Sequence, residues 1–356
     1  MERSAQNSGT IEVRNAHRFD AAALEQWMQH EVDGYFGPLR IEQFRGGQSN
    51  PTYKLVTPSR SYVLRRKPPG KLLPGAHAVD REYRVISALL AQGFPVARAF
   101  GLCLDEAVIG TAFYVMEMVE GRIFWEAELP QVSTAERARY FDAMNAVLAQ
   151  LHSIDPEAAG LGDFGKPGNY FERQIGRWSR QYLADVEAGP VPAMDRLVEW
   201  LPANIPPGED EARIIHGDFR CDNMIFHATE PKVLAVLDWE LSTLGHPLAD
   251  FSYHLMMYRM PAGITTGLAG LDLKAHNIPS EEEYVAAYCR RTGRQGIPHL
   301  DFYIAFNLFR LSAIVHGIKG RLARGTAASA HADKMAASLD GLAELAWSQA
   351  ERAGAR

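Results

Sequence analysis

Two short stretches of the sequence combine residue types that can carry out chemistry on a phosphate. The first is His216-Gly217-Asp218-Phe219-Arg220-Cys221-Asp222-Asn223, and the second is Asp238-Trp239-Glu240. A carboxylate such as Asp218 can take the proton of a hydroxyl. The oxygens of Asn223 and Asp238 are suitable ligands for a divalent cation bound to nucleotide phosphates. The spacing therefore predicts catalytic roles for Asp218, Asn223 and Asp238 in phosphoryl transfer.

The segment between these stretches predicts rigid supports for the acids. Residues 224–226 and 233–237 are apolar runs typical of two strands, and the polar residues 227–232 form the turn that joins them. Such a hairpin would fix Asn223 at one end and Asp238 at the other. The alternative is a capped turn followed by a buried strand that happens to end in an acid.

The composition indicates an ordinary globular protein. The chain has 356 residues, of which 47% are hydrophobic and 22% are charged, so it can bury a large core. Its formal net charge of -6 and pI near 6.1 give no reason to expect nucleic acid or an anionic membrane as a partner.

The cysteines and the amino-terminal residues favour a cytoplasmic protein. Cys103, Cys221 and Cys289 are odd in number and lie far apart, without the spacing of metal ligands. Residues 1–15 lack the apolar run of a signal peptide, and no apolar stretch is long enough to cross a bilayer.

Apolar spacing predicts an α+β fold with two lobes. Expected strands cover 41–45, 52–57, 61–65, 97–104 and 111–118. Expected helices cover 21–32, capped by Asp20, and 80–92, with Tyr83, Ile86, Leu89 and Leu90 facing inward. Later helical patterns cover 134–152, 170–187, 194–201, 281–291 and 300–322. We expect a loosely ordered tail over 1–18, a small antiparallel-sheet lobe over 19–119 and a mostly helical lobe over 120–356.

Two features of the small lobe could bind phosphate. The turn Gly46-Gly47-Gln48-Ser49-Asn50 offers backbone N–H groups that an anion can approach closely. Arg65 ends an alternating apolar strand, and Glu82 in the following helix can pair with it. Taken alone, the turn could be an ordinary hairpin, and the pair could be a surface contact worth less than ~1 kcal/mol.

In combination these stretches resemble the aminoglycoside phosphotransferase family of protein-kinase-like enzymes. The resemblance spans roughly Phe19 to Met335 and is greatest to the subgroup also found fused ahead of acyl-CoA dehydrogenase domains. It is carried by residues 46–50, 62–70, 80–84, 216–223 and 238–245.

The resemblance implies ATP as phosphate donor and Mg²⁺ held by Asn223 and Asp238. Asp218 would be the base, and Glu82 would orient Arg65. The phosphates would lie near Gly46, Gly47, Ser49, Asn50 and Arg65. The adenine would contact Glu117, Met118 and Val119, with Met116 at the back of its pocket. His216 and Asp250 would brace the catalytic loop. Residues 114–118 could also be a plain core strand.

Departures from the protein-kinase pattern favour a small-molecule acceptor. Asp238-Trp239-Glu240 replaces Asp-Phe-Gly, and the chain has no room for a long activation segment before the helix that follows Pro247. Arg65 stands where many relatives have Lys, and His246 stands where the subgroup usually has Asp.

The acceptor is expected to be an anionic metabolite with a hydroxyl, such as a hydroxyacyl-CoA or hydroxy acid. The candidate cations are Lys166, Arg173, Arg177, Arg180, Arg310, Lys319, Arg321 and Arg324. A solvated helix face is the alternative explanation for them. Other possible functions are an aminoglycoside or amino-alcohol kinase, a nucleotide-binding module without turnover, and an acyl-CoA dehydrogenase.

Overall fold

The computed structural model describes residues 9–45, 50–70, 77–208, 211–262, 267–326 and 332–356. Gly46, Gly47 and Ser49, predicted to contact phosphate, therefore lie outside the described residues. The chain divides into two compact units. The first comprises Met1–Trp125, Ala159–Leu161 and Cys221–Ser242, and the second comprises Glu126–Ala158, Gly162–Arg220 and Thr243–Arg356. The lobe boundary at residue 119 stays a prediction, since these units are defined by contacts and not by function.

The first unit contains an antiparallel sheet, as the sequence predicted. In spatial order its strands are Thr10–Ile11, Arg40–Phe44, Thr52–Val56, Ser61–Arg66, Phe113–Glu117 and Ala99–Cys103. Every neighbouring pair is antiparallel. The strand Ser61–Arg66 lies inside the sheet, so its end, which carries Arg65, is held from both sides.

The tail expected to be loosely ordered contributes to this sheet. Thr10 and Ile11 pair with Phe44 and Gln43, and the Tyr53 hydroxyl donates to the carbonyl of His17. The prediction of loose order is wrong for these residues, because the edge of the Arg40–Phe44 strand supplies backbone partners that local sequence cannot indicate.

The main helix of the first unit, Val79–Ala91, buries an acid together with its apolar face. Glu82, Val85, Ile86 and Leu89 are buried. Leu90, which the sequence predicted to face inward, is exposed, because one residue of helix rotates it about 100° away from Leu89. A second helix, Ala21–Glu31, begins at Asp20, whose side chain accepts hydrogen bonds from Ala22 and Ala23 as predicted.

The hairpin that carries the predicted metal ligands also belongs to the first unit. Met224–Phe226 pairs with Val233–Val236, and the carbonyl of Asn223 accepts a hydrogen bond from the amide of Leu237. This bond ties Asn223 to the residue that precedes Asp238, so the two predicted ligands lie side by side.

The second unit is mostly helical. Its longer helices are Arg137–Ser153, Tyr170–Ala184, Pro192–Ala203, Pro247–Leu255, Glu281–Thr292, Leu300–Ala323 and Leu339–Arg352, and a shorter one covers Ala332–Ala337. The strands Arg213–Ile215 and Thr243–Gly245 form an antiparallel pair. In the sequence they precede and follow the segment Cys221–Ser242, which belongs to the first unit. With the sheet of the first unit, these helices confirm the predicted α+β fold class.

The Leu300–Ala323 helix is the centre of the second unit's core. Phe302, Phe306 and Phe309 are buried along it, and Phe171 packs against Phe302 and Phe306. Among the described residues, no helix combines the length and apolar character needed to span a membrane.

Candidate active site

The predicted catalytic residues divide between the two units. Asp218 belongs to the second unit, in the loop that follows the strand Arg213–Ile215, whereas Asn223 and Asp238 belong to the first.

Asp250 anchors the loop that carries Asp218. Its carboxylate accepts hydrogen bonds from the amides of His216 at 2.7 Å and Gly217 at 2.8 Å. A third contact, at 3.3 Å, comes from Nε2 of His152. Burial opposes the charge of Asp250, but these donors outweigh it and hold its pKa below the ordinary value. Asp250 therefore braces the loop as an ionised carboxylate, which is the bracing that the resemblance implied.

His216 and Tyr253 complete the loop. Nδ1 of His216 accepts a hydrogen bond from the amide of Asp218 at 3.1 Å. The Tyr253 hydroxyl donates to Oδ1 of Asp218 at 2.5 Å. Tyr253 was not predicted from the sequence, because it lies in a helical pattern and no feature of that pattern indicates that its hydroxyl contacts Asp218.

Arg65 is the centre of a charged cluster in the first unit. Its Nε lies 2.8 Å from Oε2 of Glu82, without hydrogen-bond alignment, and its Nη2 lies 2.5 Å from Oδ1 of Asp238. Glu240 is 3.6 Å away. Arg65 is 9% exposed and Glu82 is 2% exposed, so the expected pair is present and is not a surface contact.

This cluster contains more negative than positive charge. Burial opposes the charge of Arg65, but Glu82, Asp238 and Glu240 outweigh burial and raise its pKa. Burial raises the pKa of Glu82 to about 7, although Arg65 works against that rise. Arg65 is therefore charged, whereas Glu82 is only partly ionised near neutral pH, because burial destabilises the Glu82 carboxylate by more than Arg65 stabilises it.

Hydrogen bonds to Glu82 hold the cluster in place. The amide of Asn50 donates to Oε1 of Glu82 at 2.8 Å, and the hydroxyl of Tyr114 donates to Oε2 at 3.1 Å. Asn50 is itself fully buried and contacts His77. Asn50, predicted to bind phosphate, is therefore a partner of Glu82 in this structure.

The backbone at Asp238 is unusual. Its φ is +64°, in the left-handed region that few residues other than glycine adopt, although Asp, Asn and His adopt it several times more often than the rest. Such a conformation persists only where the surroundings enforce it, and it often marks a functional position. Here it turns the chain at the end of the Val233–Val236 strand and directs the carboxylate towards Arg65.

A cavity of about 580 Å³ brings the other predicted residues of the first unit together. Met116, Glu117, Met118 and Val119, predicted for adenine, line it. Arg65, Asn223 and Asp238 line it too, with apolar walls from Val63, Ile86 and Ala97. Its size falls within the range of small-ligand sites.

The donor set at Asn223 and Asp238 fits Mg²⁺. An amide oxygen and a carboxylate are hard ligands, and Mg²⁺ is usually bound by one or two protein carboxylates with substrate phosphates completing its shell. Among the described residues, no group of three or more His, Cys, Asp or Glu could hold a metal by itself. The two oxygen donors of Asn223 and Asp238 are suited to a cation whose remaining ligands come from phosphate.

The basic residues predicted to attract an anion have different surroundings. Arg324 forms ion pairs with Asp185 and Glu187. Arg310 is buried and donates to the carbonyl of Gly217 at 2.8 Å. Arg177 is exposed, beside the ring of Trp178. Arg324 is thus engaged in a structural ion pair, whereas Arg177 remains available to a solute.

The antiparallel sheet of the first unit and the mostly helical second unit are the parts expected of a kinase-like fold. Residues 40–306 match the model of the phosphotransferase enzyme family, and the chain belongs to that family.

Two relatives cover nearly the whole chain. Acyl-CoA dehydrogenase family member 11 of Gallus gallus is 45% identical over 344 residues, which are 94% of this chain but 44% of that protein. The crystal structure of a candidate aminoglycoside phosphotransferase from Ralstonia eutropha is 51% identical, with a TM-score of 0.87, and covers 94% of this chain and 99% of that one. The chain therefore spans less than half the length of the dehydrogenase relative and nearly all of the bacterial one.

More distant structures share the fold. A thermostable mutant of aminoglycoside phosphotransferase APH(4)-Ia, in a ternary complex with AMP-PNP and hygromycin B, is 15% identical with a TM-score of 0.57. The match covers 92% of this chain and 99% of that one.

Proposed function

We propose that this chain is a Mg²⁺- and ATP-dependent phosphotransferase that phosphorylates a hydroxyl of a small metabolite. The main support is the cavity of the first unit, which is lined both by the residues predicted for adenine and by the residues predicted for phosphate and metal. A plain core strand over 114–118 would not require Arg65, Asn223 and Asp238 at the same cavity.

Each residue has a role that follows from its charge. Arg65 neutralises phosphate oxygens, and Glu82 orients Arg65. Asn223 and Asp238 would hold Mg²⁺, which would offset charge on the phosphates. Asp218 takes the proton of the acceptor hydroxyl. The acceptor oxygen forms a bond to the γ-phosphorus while the bond from that phosphorus to ADP breaks, so that the products are a phosphate ester, ADP and one proton.

The acceptor is proposed to be an anionic molecule, such as a hydroxyacyl-CoA or a hydroxy acid. Burial raises the pKa of Tyr170, and the charges of Arg310, Arg173 and Arg177 oppose that rise. The charge of Asp250 adds to the rise, so three arginines and one carboxylate act on Tyr170. An excess of arginines over carboxylates would favour an anionic acceptor over a polycationic drug. The dehydrogenase relative is named for acyl-CoA chemistry, which supports a CoA-linked acceptor.

The test is a side-by-side assay of labelled ATP with three acceptor types under saturating Mg²⁺: a 4-hydroxyacyl-CoA, the free 4-hydroxy acid and kanamycin. We expect turnover of the anionic acceptors and little of the drug. Arg177→Gln should lower kcat/KM for the anionic acceptor, whereas Arg196→Gln, which removes an arginine paired with Glu344, should not.

Other outcomes of this assay discriminate between the alternatives. Efficient phosphorylation of kanamycin alone would indicate an aminoglycoside kinase, for which the name of the bacterial relative is the support. Binding of nucleotide without turnover of any acceptor would indicate a binding module. A yellow, flavin-containing preparation would indicate a dehydrogenase.

A further inference from the structure

One helix of the second unit contacts four consecutive residues of the loop that carries Asp218. Asp250, in the Pro247–Leu255 helix, binds the amides of His216 and Gly217. Tyr253 and His254 follow one turn later on the same face. Tyr253 binds the carboxylate of Asp218, and His254 binds the carbonyl of Phe219 at 3.2 Å. Asp250 and His254 thus hold backbone atoms, whereas Tyr253 holds the side chain of the proposed base.

The direction of the contact with Asp218 is settled by the chemistry of Tyr253. Burial and the negative charge of Asp218 raise the pKa of Tyr253 above its ordinary value. The phenol therefore stays protonated at neutral pH and donates its hydrogen to the carboxylate. A hydrogen bond to the charged form of an acid favours that form and restricts its rotamer.

Arg310, in the Leu300–Ala323 helix, contacts both the loop that carries Asp218 and the ring of Tyr253. Its Nη2 donates to the carbonyl of Gly217 at 2.8 Å, next to Asp218 in the chain. Its guanidinium carbon lies 5.2 Å from the centre of the Tyr253 ring and 6.0 Å from that of Trp178. Because Arg310 is 8% exposed, it has little freedom to leave this position.

We propose that Tyr253 is a positioning residue that orients the carboxylate of Asp218 for proton transfer, with Arg310 fixing Tyr253 against the loop. This inference rests on the proposed function of Asp218 as the base. The charged groups that act on Tyr253 are Asp218 and Arg220 from the loop and Arg310 from the Leu300–Ala323 helix. Tyr253→Phe leaves all three of these residues in place.

The test compares Tyr253→Phe with Tyr258→Phe. Both remove one phenol oxygen from a neighbouring position, but the Tyr258 hydroxyl has no hydrogen-bond partner among the described residues. Tyr253→Phe should lower kcat roughly tenfold, which is close to the lower end of what a hydrogen bond to a charged group contributes. It should leave the KM for ATP unchanged, so that the loss falls on kcat. Tyr258→Phe should change none of these.

A second measurement keeps the inference testable whatever the acceptor. The carboxyl carbon of Asp218 can be followed by NMR in protein labelled with carbon-13 aspartate, with Asp218→Asn to assign the signal. At neutral pH the chemical shift of this signal should change in Tyr253→Phe, which removes the hydrogen bond to Asp218, and should stay the same in Tyr258→Phe.

The outcomes separate the inference from the proposed function. Failure of the unsubstituted protein to phosphorylate any acceptor would count against the proposed function, while the NMR signal would still decide the contact. An active protein whose kcat and Asp218 carboxyl signal are both insensitive to Tyr253→Phe would overturn the inference alone. A rate loss that comes with a lower melting temperature and an unmoved carboxyl signal would also overturn it, because Tyr253 would then have only a structural role.

Discussion

The Arg65 cluster and the Asp218 loop each hold an aspartate with a partner distant in sequence, but they balance charge in opposite ways. At Asp238 the partner is a cation shared with Glu82 and Glu240, so the region carries excess negative charge. At Asp218 the carboxylate accepts a hydrogen bond from the neutral phenol of Tyr253, and Asp250 accepts hydrogen bonds from the backbone N–H groups of the same loop. The first region is suited to receive cations, whereas the second is already held by the Tyr253 phenol, by N–H groups and by the buried Arg310.

The two regions also respond to pH in opposite directions. The raised pKa of Glu82, about 7, means that the folded first region binds a proton that an unfolded glutamate would have released. In the second region, burial lowers the pKa of His254 to about 4, so the folded state resists a proton there. Acid therefore favours the folded form of the first region and opposes that of the second.

Asp218→Asn is expected to have the largest effect on activity. Removing a general base typically costs roughly 10²- to 10⁴-fold in rate, and the substitution keeps the shape of the side chain. Nucleotide binding should be unchanged, because the base contacts the acceptor. Measurement of transfer rate and of ADP affinity checks both, with Asp272→Asn at the surface as the control. Equal turnover in Asp218→Asn and the unsubstituted protein would contradict the assignment.

Asp238→Asn should affect binding as well as turnover, in contrast to Asp218→Asn. Loss of one carboxylate at Mg²⁺ should weaken Mg²⁺-nucleotide binding by roughly 10- to 100-fold. Without Mg²⁺, the same variant should bind ADP as well as before or better, since it removes a negative charge that pairs with Arg65. Calorimetry with Mg²⁺ and with EDTA separates the two. An equal loss of affinity under both conditions would indicate a damaged cavity, not a missing metal ligand.

Local signals predicted much of this fold and site. The Asp20 cap, the hairpin between Asn223 and Asp238 and the pair of Arg65 with Glu82 all depend on spacing that can be recognised along the chain. The strand Thr10–Ile11 could not be predicted, because two residues carry no periodicity and their partner strand is more than 30 residues away.

Two further misses differ in kind. The Leu339–Arg352 helix buries Leu339, Leu342, Ala343 and Ala346, and this helical spacing of apolar residues is visible in the sequence. Tyr253 offers no such signal, because its partner Asp218 lies 35 residues away and only the fold brings them together.

Arg65→Ala should raise the KM for ATP by roughly tenfold, the loss of a single charge-assisted contact to phosphate. Glu82→Ala should do the same more mildly, because Arg65 would keep its charge and lose its orientation. Steady-state kinetics at fixed acceptor concentration measures both, and Arg60→Ala, in the turn before the same strand, is the control. If neither KM changes, the Ser61–Arg66 strand does not face the nucleotide.

The smallest effect concerns the stability of the second region in acid. His254 is buried, with Phe219 and Tyr284 as its hydrogen-bond partners, and its pKa of about 4 lies below the value of 6.5 that an unfolded histidine has. Below pH 6.5 the unfolded chain gains a proton that the folded chain refuses, so the free energy of unfolding falls as pH falls towards 4 and then levels off. The maximum slope is about 1.4 kcal/mol per pH unit for one such group.

Urea unfolding at pH 7, 6 and 5 should show this loss in the unsubstituted protein and in the exposed His30→Gln control. It should be smaller in His254→Gln, which has no proton to gain at that position. Parallel pH dependences in all three would mean that the pKa of His254 is the same in the folded and unfolded chains, which contradicts the expected effect of burial on this histidine.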